Sequence, residues 1–561
     1  MRVRKGVQLV AGAALLSMVA AACGGGDVGA TKTEGPAAGT GARADGTVFI
    51  RGCEPQNPIV PGNINETCGG KVADALFTGL REYNPDTAQP EDAMAESIQT
   101  TDNKTFTIKI KQGWKFHDGT EVKAKNFVDA WNFTAYSPNA QLGSYWFADV
   151  KGYDKVSTTD PDGEEGPKKA PTPATDKLEG LKVVDDYTFT VELKAPQAIW
   201  PFKVGYTTFS PLPDAFFSST PAEFGKKPVG NGPFKFESWQ NNVQITVATN
   251  ADYPGERKSK VKKIVYKMYQ DDNAAYADLI SNNLDFLEVV PPSALTGDKW
   301  KTDLGDRAIS GEQGVIQTLT FPLYNKEFGG NADFRKAISL SIDRVTITDK
   351  IFNKGRVPVD GWSIPLVNGY KAGACAGFCT FDPAKAKEHL AKSKAAGYNP
   401  PAEYPLWYNG DSAHKEWTEA ACNSINQALE VKWCVARPMP TFDELRDAVT
   451  SRKIKGMFRT GWQMDYPHLE NFLTPLYETG ASSNDGEYSN KEFDAKLDQA
   501  DQTTDPTAAT TLYQEAEALL AEDLPAIPLW YYGLQAGYST HVKNVKVTPF
   551  GELDPTSIEI K

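Results

Sequence analysis

Ten residues, Phe458-Arg459-Thr460-Gly461-Trp462-Gln463-Met464-Asp465-Tyr466-Pro467, concentrate groups suited to binding rather than to reaction. The planar guanidinium of Arg459 suits a carboxylate bidentately. The carboxylate of Asp465, at ~4 Å from an ammonium, gains a gross ~4 kcal/mol at an effective dielectric of ~20, before desolvation is subtracted. In a regular strand the two-residue period puts Arg459, Gly461 and Gln463 on one face and Trp462 on the other. Simpler assignments stand beside these. Asp-Tyr-Pro is a favourable turn, Arg459 can serve an internal salt bridge, and Trp462 can pack in a core. Catalytic motifs are missing: there is no nucleophile elbow, Walker loop, H-E-x-x-H helix or kinase motif, and Gly39-Thr-Gly41 has no strand before it. Metal chemistry fares no better. The C-x3-C at Cys375 lacks a second ligand pair, and His117, His389, His414, His468 and His541 are scattered. The acidic run from Asp160 to Glu165 fails the calcium-loop spacing. Neither a cofactor nor a metal is expected.

The elements that must position this segment read as mixed strand and helix. Thr105 to Lys111 and Thr188 to Lys194 alternate apolar and polar, which predicts two similar half-buried strands of one sheet. Between them, Lys123 to Phe133 is helical, with Phe127, Ala130, Trp131 and Thr134 on one face, and Thr159 to Thr175 is a surface loop. Gly230-Asn231-Gly232-Pro233 is a turn, followed by strands at Phe234 to Phe236, Val243 to Ala248 and Val261 to Tyr269. After Thr318 helices dominate. Asp333 to Phe352 reads as helical, with Phe334, Ile338, Ile342 and Ile351 at helical spacing. Asp382-Pro383 opens a helix that Gly397 ends. Asp411 to Glu430, Asn490 to Gln502 and Asp505 to Asp523 are further helices, and Ala526 to Tyr532 is a late apolar strand. The alternation indicates α/β lobes.

With 561 residues, 40% of them hydrophobic, the chain can bury large cores in about three domains, or two with one interrupted. Its first 22 residues are a secretion signal, a basic start and then the apolar run Val7 to Ala22. Net charge is −13, and −16 after cleavage, which removes Arg2, Arg4 and Lys5. Such a surface repels phosphate backbones, so nucleic acid is not expected as a partner. Val19-Ala20-Ala21-Ala22-Cys23 is similar to a bacterial lipobox, which makes Cys23 the lipid-bearing residue, and 23–46 then forms a flexible tether. Six cysteines remain as near neighbours: Cys53 and Cys68, Cys375 and Cys379, Cys422 and Cys434. An oxidising compartment would let three local disulfides form, although six cysteines allow 15 connectivities.

Several ordered blocks carry a family resemblance. They are Phe77-Thr78-Gly79-Leu80; Thr105 through Gly113-Trp114-Lys115-Phe116-His117-Asp118-Gly119-Thr120 to Phe127; Val229 to Phe234 and on to Trp239; Phe334-Arg335-Lys336-Ala337-Ile338 to Ile342-Asp343-Arg344; Arg459 to Tyr466 with Asn471; and Pro525 to Leu529. Together they resemble the oligopeptide- and dipeptide-binding proteins of bacterial ABC importers over nearly all of the chain after the tether. The resemblance implies an α/β, two-lobed periplasmic-binding-protein-like fold with a hinge and an additional inserted domain. Lobe I would comprise 47–80 with 200–316 and 531–561, the inserted domain 81–199, and lobe II 317–530.

The same resemblance implies a function. An exported lipoprotein on the outer face of the bacterial cell membrane, working as a monomer, would capture short peptides in its cleft and deliver them to ABC permease subunits, with no enzymatic step. Asp465 would pair with the ligand's α-ammonium, Arg459 and His414 would meet carboxylates, and Trp462 and Tyr145 would contact the ligand. If Asp411 caps its helix, His414 lies in the first turn, where the dipole disfavours a protonated ring. A different solute, such as an oligosaccharide or metal chelate, and a peptide-sensing receptor are the alternatives. A secreted hydrolase is the reading from another class.

Overall fold

The computed structural model describes residues 45–158, 169–269, 271–410, 414–440, 442–481 and 483–561. The signal segment at 1–22, Cys23, nearly all of the tether, the acidic run 160–165 and Asp411 lie outside the described residues.

The largest sheet holds eleven strands. Its order runs Cys434–Met439, Tyr404–Asn409, Met457–Gln463, Ala308–Thr320, Ala526–Tyr538, Phe286–Leu287, Thr47–Gly52, Lys263–Met268, Gln244–Thr249, Phe234–Gln240, with Arg356–Pro358 also paired to Ala526–Tyr538. Parallel pairs occur on both sides of the middle, at Thr47–Gly52 with Lys263–Met268 and at Tyr404–Asn409 with its two neighbours. The middle itself is antiparallel, and its strands Ala308–Thr320 and Ala526–Tyr538 are each 13 residues long. At ~3.3 Å per residue each spans about 43 Å, enough to serve both ends of the sheet. The fold is thus α/β with two lobes.

A separate four-stranded sheet has the order Ala95–Gln99, Thr105–Ile110, Thr188–Glu192, Leu181–Asp185. The two look-alike segments are neighbours, paired antiparallel from Thr105↔Glu192 to Lys109↔Thr188. Phe106, Ile108 and Ile110 are buried and the residues between them exposed, as the period-two pattern predicts. Helix Ala124–Ala135 covers this sheet with Phe127, Ala130, Trp131 and Thr134 buried. The Trp131 ring meets Phe127, Phe189, Trp200 and Phe209 edge-on, with centroids 5.3–6.4 Å apart. Each such pair contributes about 0.5–1.5 kcal/mol beyond its buried area. Its indole N–H is satisfied by the Phe209 carbonyl at 3.0 Å.

Two of the sequence blocks prove to be one packing unit. Gly230 passes so close to the end of helix Thr67–Leu76 that a Cβ there would lie 1.9 Å from the Leu76 carbonyl oxygen. Asn231 then clips the chain in place: its side-chain amide donates to the Thr78 carbonyl at 2.8 Å and its oxygen accepts from the Thr78 N–H at 3.0 Å.

In the helical half, the stretch from Asp333 to Phe352 divides into Ala332–Leu340 and Arg344–Ile351. The carboxylate of Asp343 accepts from the Thr346 N–H at 3.0 Å and starts the second helix afresh. Asp382 caps its helix as expected, and Asn490 and Asp505 cap theirs. The late strand continues past Tyr532 to Tyr538. Disulfides join Cys53 to Cys68, Cys375 to Cys379 and Cys422 to Cys434, the neighbour pairing. Among the described residues no helix is long and apolar enough to cross a membrane.

Candidate ligand-binding cleft

Strand Met457–Gln463 pairs with Ala308–Thr320 in the middle of the sheet, and its C-terminal end delivers Trp462, Gln463, Met464 and Asp465 into a cavity of about 1180 Å³. The opposite wall comes from 50–85, 205–210 and 548–556, together with Tyr145. That volume exceeds the ~300–1,000 Å³ of single small-molecule sites. It suits an extended ligand.

Asn471 fixes the geometry at Asp465. Its amide N–H donates to the Asp465 carboxylate at 3.0 Å, while its oxygen accepts from the Asp465 backbone N–H at 2.9 Å and from the Trp462 indole at 3.1 Å. Asn471 is itself buried, so one side chain sets both the carboxylate and the indole. Among the described residues no cation lies within 4 Å of Asp465. Burial pushes its carboxyl up to about 7, the Asn471 hydrogen bond opposes this, and the nearby Glu470 charge adds to it. Tyr83, Tyr145 and Tyr206 line the same cavity. Burial and then the Asp465 charge hold all three phenols above their ordinary value. Tyr206 stacks on Trp146 at 4.3 Å, Trp146 on Tyr145 at 5.6 Å, and Trp146 meets Tyr466 edge-on at 5.9 Å. The result is a desolvated, unpaired carboxylate in an aromatic cradle, an environment that favours an incoming ammonium.

The sequence-derived candidates separate in space. Asp465, Trp462 and Tyr145 line the cavity, whereas Arg459 and His414 are not among its lining residues. The Arg459 Nε donates to Asn409 Oδ1 at 2.7 Å, and its guanidinium stands 4.9 Å from the Phe442 ring centroid. His414 is buried at the position preceding helix Lys415–Leu429, and its Nδ1 accepts from the Trp417 indole at 3.0 Å. Its pKa falls to about 3. Burial is the main cause, followed by the charges of Arg459 and Arg356. The strand alternation expected for 459–463 does not decide which residues reach the cavity, because 460–465 line it consecutively at the strand's end. Tyr83, Tyr206 and the positioning residue Asn471 were given no role from sequence. Asn471 sits in a quoted block, but no motif marks the two tyrosines.

Contacts also cross the cleft beside the cavity. Gln463 donates to the Phe550 carbonyl at 3.0 Å and Asn368 to Gln89 at 2.9 Å. The Lys203 ammonium sits 3.2 Å from Asp149 and 3.5 Å from Glu470, and Glu470 accepts from the Tyr466 hydroxyl.

Comparison with known proteins agrees with this architecture. The chain is 26% identical over 560 residues to the oligopeptide-binding protein OppA of Bacillus subtilis, covering 96% of each. It is 27% identical over 511 residues to the periplasmic oligopeptide-binding protein OppA of Escherichia coli, covering 89% of each. The crystal structure of Haemophilus influenzae OppA in complex with the peptide RPPGFSPFR superposes with a TM-score of 0.77 at 22% identity, covering 93% of this chain and all of that one. The model of the bacterial extracellular solute-binding proteins, family 5, matches residues 89–484, which include the Asp465 segment. The chain therefore belongs to the bacterial extracellular solute-binding proteins of family 5.

Proposed function

We propose that this protein captures short peptides in its interlobe cleft, closes over them and delivers them to an ABC permease, with no covalent chemistry. One observation carries the reading: Asp465 is an unpaired carboxylate, aimed into a cavity large enough for several residues and framed by tyrosines. The α-ammonium of a peptide supplies the missing charge. The remainder of an extended ligand offers backbone amides, which all peptides share and which cleft edges and trapped water can satisfy irrespective of sequence. The peptides named for its relatives favour the same solute class.

The hinge is assigned to strands Ala308–Thr320 and Ala526–Tyr538. The proposed lobe boundaries at 316/317 and 530/531 fall on facing rungs, Ile316↔Tyr531 and Gln317↔Trp530, and a register irregularity follows Gln317. Outside the described residues, lipidation at Cys23 would hold the protein, as a monomer, at the outer face of the cell membrane. Mass spectrometry of membrane-extracted protein tests that assignment. For the ligand, calorimetry with a tripeptide and its N-acetylated twin is the test. The free peptide binds and the acetylated one loses at least about 100-fold, on the scale of breaking a buried ion pair. Equal affinities would overturn the role of Asp465.

A further inference from the structure

A charged seam beside the cavity ties its two walls together. Lys203 ends helix Trp200–Lys203, and the Trp200 ring packs at 4.7 Å on Phe106 of the four-stranded sheet. Gly205 and Tyr206, just beyond this helix, belong to the wall that faces Asp465. Glu470 lies on the other wall, in the turn Leu469–Phe472 that follows Asp465 and also carries Asn471. The Lys203 ammonium stands 3.5 Å from the Glu470 carboxylate, with side-chain exposures of 10% and 1%. Among the described residues Lys203 is the only cation within 4 Å of Glu470. Asp149, the ammonium's other partner at 3.2 Å, is 41% exposed, so Glu470 is the carboxylate that depends on this contact.

Aromatic contacts accompany the pair across the same seam. Phe202 meets His468 at 5.5 Å between ring centroids, Trp146 meets Tyr466 edge-on at 5.9 Å, and the Tyr466 hydroxyl donates to Glu470. Burial alone would lower the Lys203 pKa; the charges of Asp149, Glu470 and Asp501 outweigh it and hold the ammonium above its ordinary value, so Lys203 stays charged at neutral pH. Interfaces between domains of one chain behave like transient protein–protein interfaces, and truncating one member of a buried charge pair in such an interface acts on the rate of separation. When the walls part, both groups regain water. With the walls closed and Lys203 removed, Glu470 is left a buried carboxylate with no counter-ion. Lys203 therefore biases the seam towards closure, and it acts through the turn whose Asn471 holds Asp465.

We propose that Lys203 is a positioning residue that latches the cleft: reaching across the seam to Glu470, it favours the closed form, keeps the Asp465 turn against the facing wall and lengthens the stay of a bound peptide. The residence time rests on the peptide reading above, whereas the closing bias belongs to the empty protein and does not.

The test compares the full chain with Lys203→Met and Lys203→Arg, by small-angle X-ray scattering without ligand and by stopped-flow tryptophan fluorescence with Ala-Ala-Ala. The Met variant is expected to have a larger ligand-free radius of gyration and to release the peptide at least about tenfold faster, with an association rate within about threefold of the wild type. The Arg variant, which keeps the charge and the reach, is expected to restore both. Thermal melts check folding. Should Lys203→Met not fold, Glu470→Gln removes the same ion pair while keeping the side chain's shape, and the same expansion and faster release are expected of it. In a folded variant without the pair, an unchanged radius of gyration or an unchanged release rate would overturn the latch. Expansion of the empty variant in a protein that binds no Ala-Ala-Ala would overturn the peptide reading and support the latch.

Discussion

Asp465→Asn should move stability and affinity in opposite directions. The ligand-free cleft keeps this carboxyl at about 7 instead of its ordinary 3.8, chiefly through burial. At 1.36 kcal/mol per pH unit, ionised Asp465 costs the empty fold up to ~4 kcal/mol at neutral pH. The sign follows from linkage. The folded state holds this proton more tightly than the unfolded chain does, so the group's stabilising contribution is complete below pH 3.8 and is lost between pH 3.8 and about 7. Asparagine keeps the shape and the Asn471 contact without the charge, so the ligand-free variant should gain roughly 2–4 kcal/mol at pH 7.5. For a chain of this length that amounts to a rise of about 2–4 °C in Tm. The bound state responds the other way. A desolvated ammonium left without its partner costs roughly 3–5 kcal/mol, so peptide affinity should fall at least about 100-fold. Thermal melts with and without peptide, together with calorimetry, read both effects in one preparation. A variant that melts lower than the wild type would show that Asp465 is held by the fold for stability. One that binds peptide normally would show that it takes no part in recognition.

Three further outcomes follow from the same geometry. Wild-type affinity for a free-amino peptide should weaken roughly 20-fold between pH 7.5 and pH 5.5, as Asp465 takes up its proton, and should fall again above pH ~8 as the peptide amine loses its own; Asp465→Asn, measured alongside, should lose the acid limb attributable to this residue. Lys203→Met should destabilise the protein by about 3–5 kcal/mol in urea unfolding, because it leaves Glu470 without its buried cation and removes the 3.2 Å contact to Asp149. An unchanged midpoint would remove Lys203 from the account. Replacing Cys53 and Cys68 together by serine opens a loop of sequence separation 15 and should cost about 3 kcal/mol, read as a lower melting temperature that matches the loss on reducing that bond in the wild type.

What the sequence made legible was local. Asp382, Asn490 and Asp505 announced their helices because a cap is a short-range hydrogen bond from a side chain to an amide two or three residues on. The strands Thr105–Ile110 and Thr188–Glu192 were readable because one face of each is buried and the period of two records it. The break at Asp343 was obscured by Ile342, which keeps the apolar spacing although it is buried at a junction between helices. His414 shows the wider limit. Its low pKa comes first from burial and then from Arg459 and Arg356, which arrive from distant strands that the local sequence does not announce. The cradle of Asp465 is non-local in the same way. Tyr83 ends the short strand Arg81–Tyr83, Tyr145 sits in the 3-10 helix Leu142–Phe147 and Tyr206 in a bend, each separated from Asp465 by more than 250 residues. The Asp465 segment itself was visible because its residue types are unusual together, and the cavity that gives it a partner exists only after the lobes assemble.

A crystal structure of the protein with a tripeptide bound tests the central claim most directly. The peptide's α-ammonium nitrogen is expected within ~3.2 Å of an Asp465 carboxylate oxygen, with Asn471 still donating to the same carboxylate. A peptide whose amino end points away from Asp465, or a carboxylate bridged to a cation of its own chain, would contradict it.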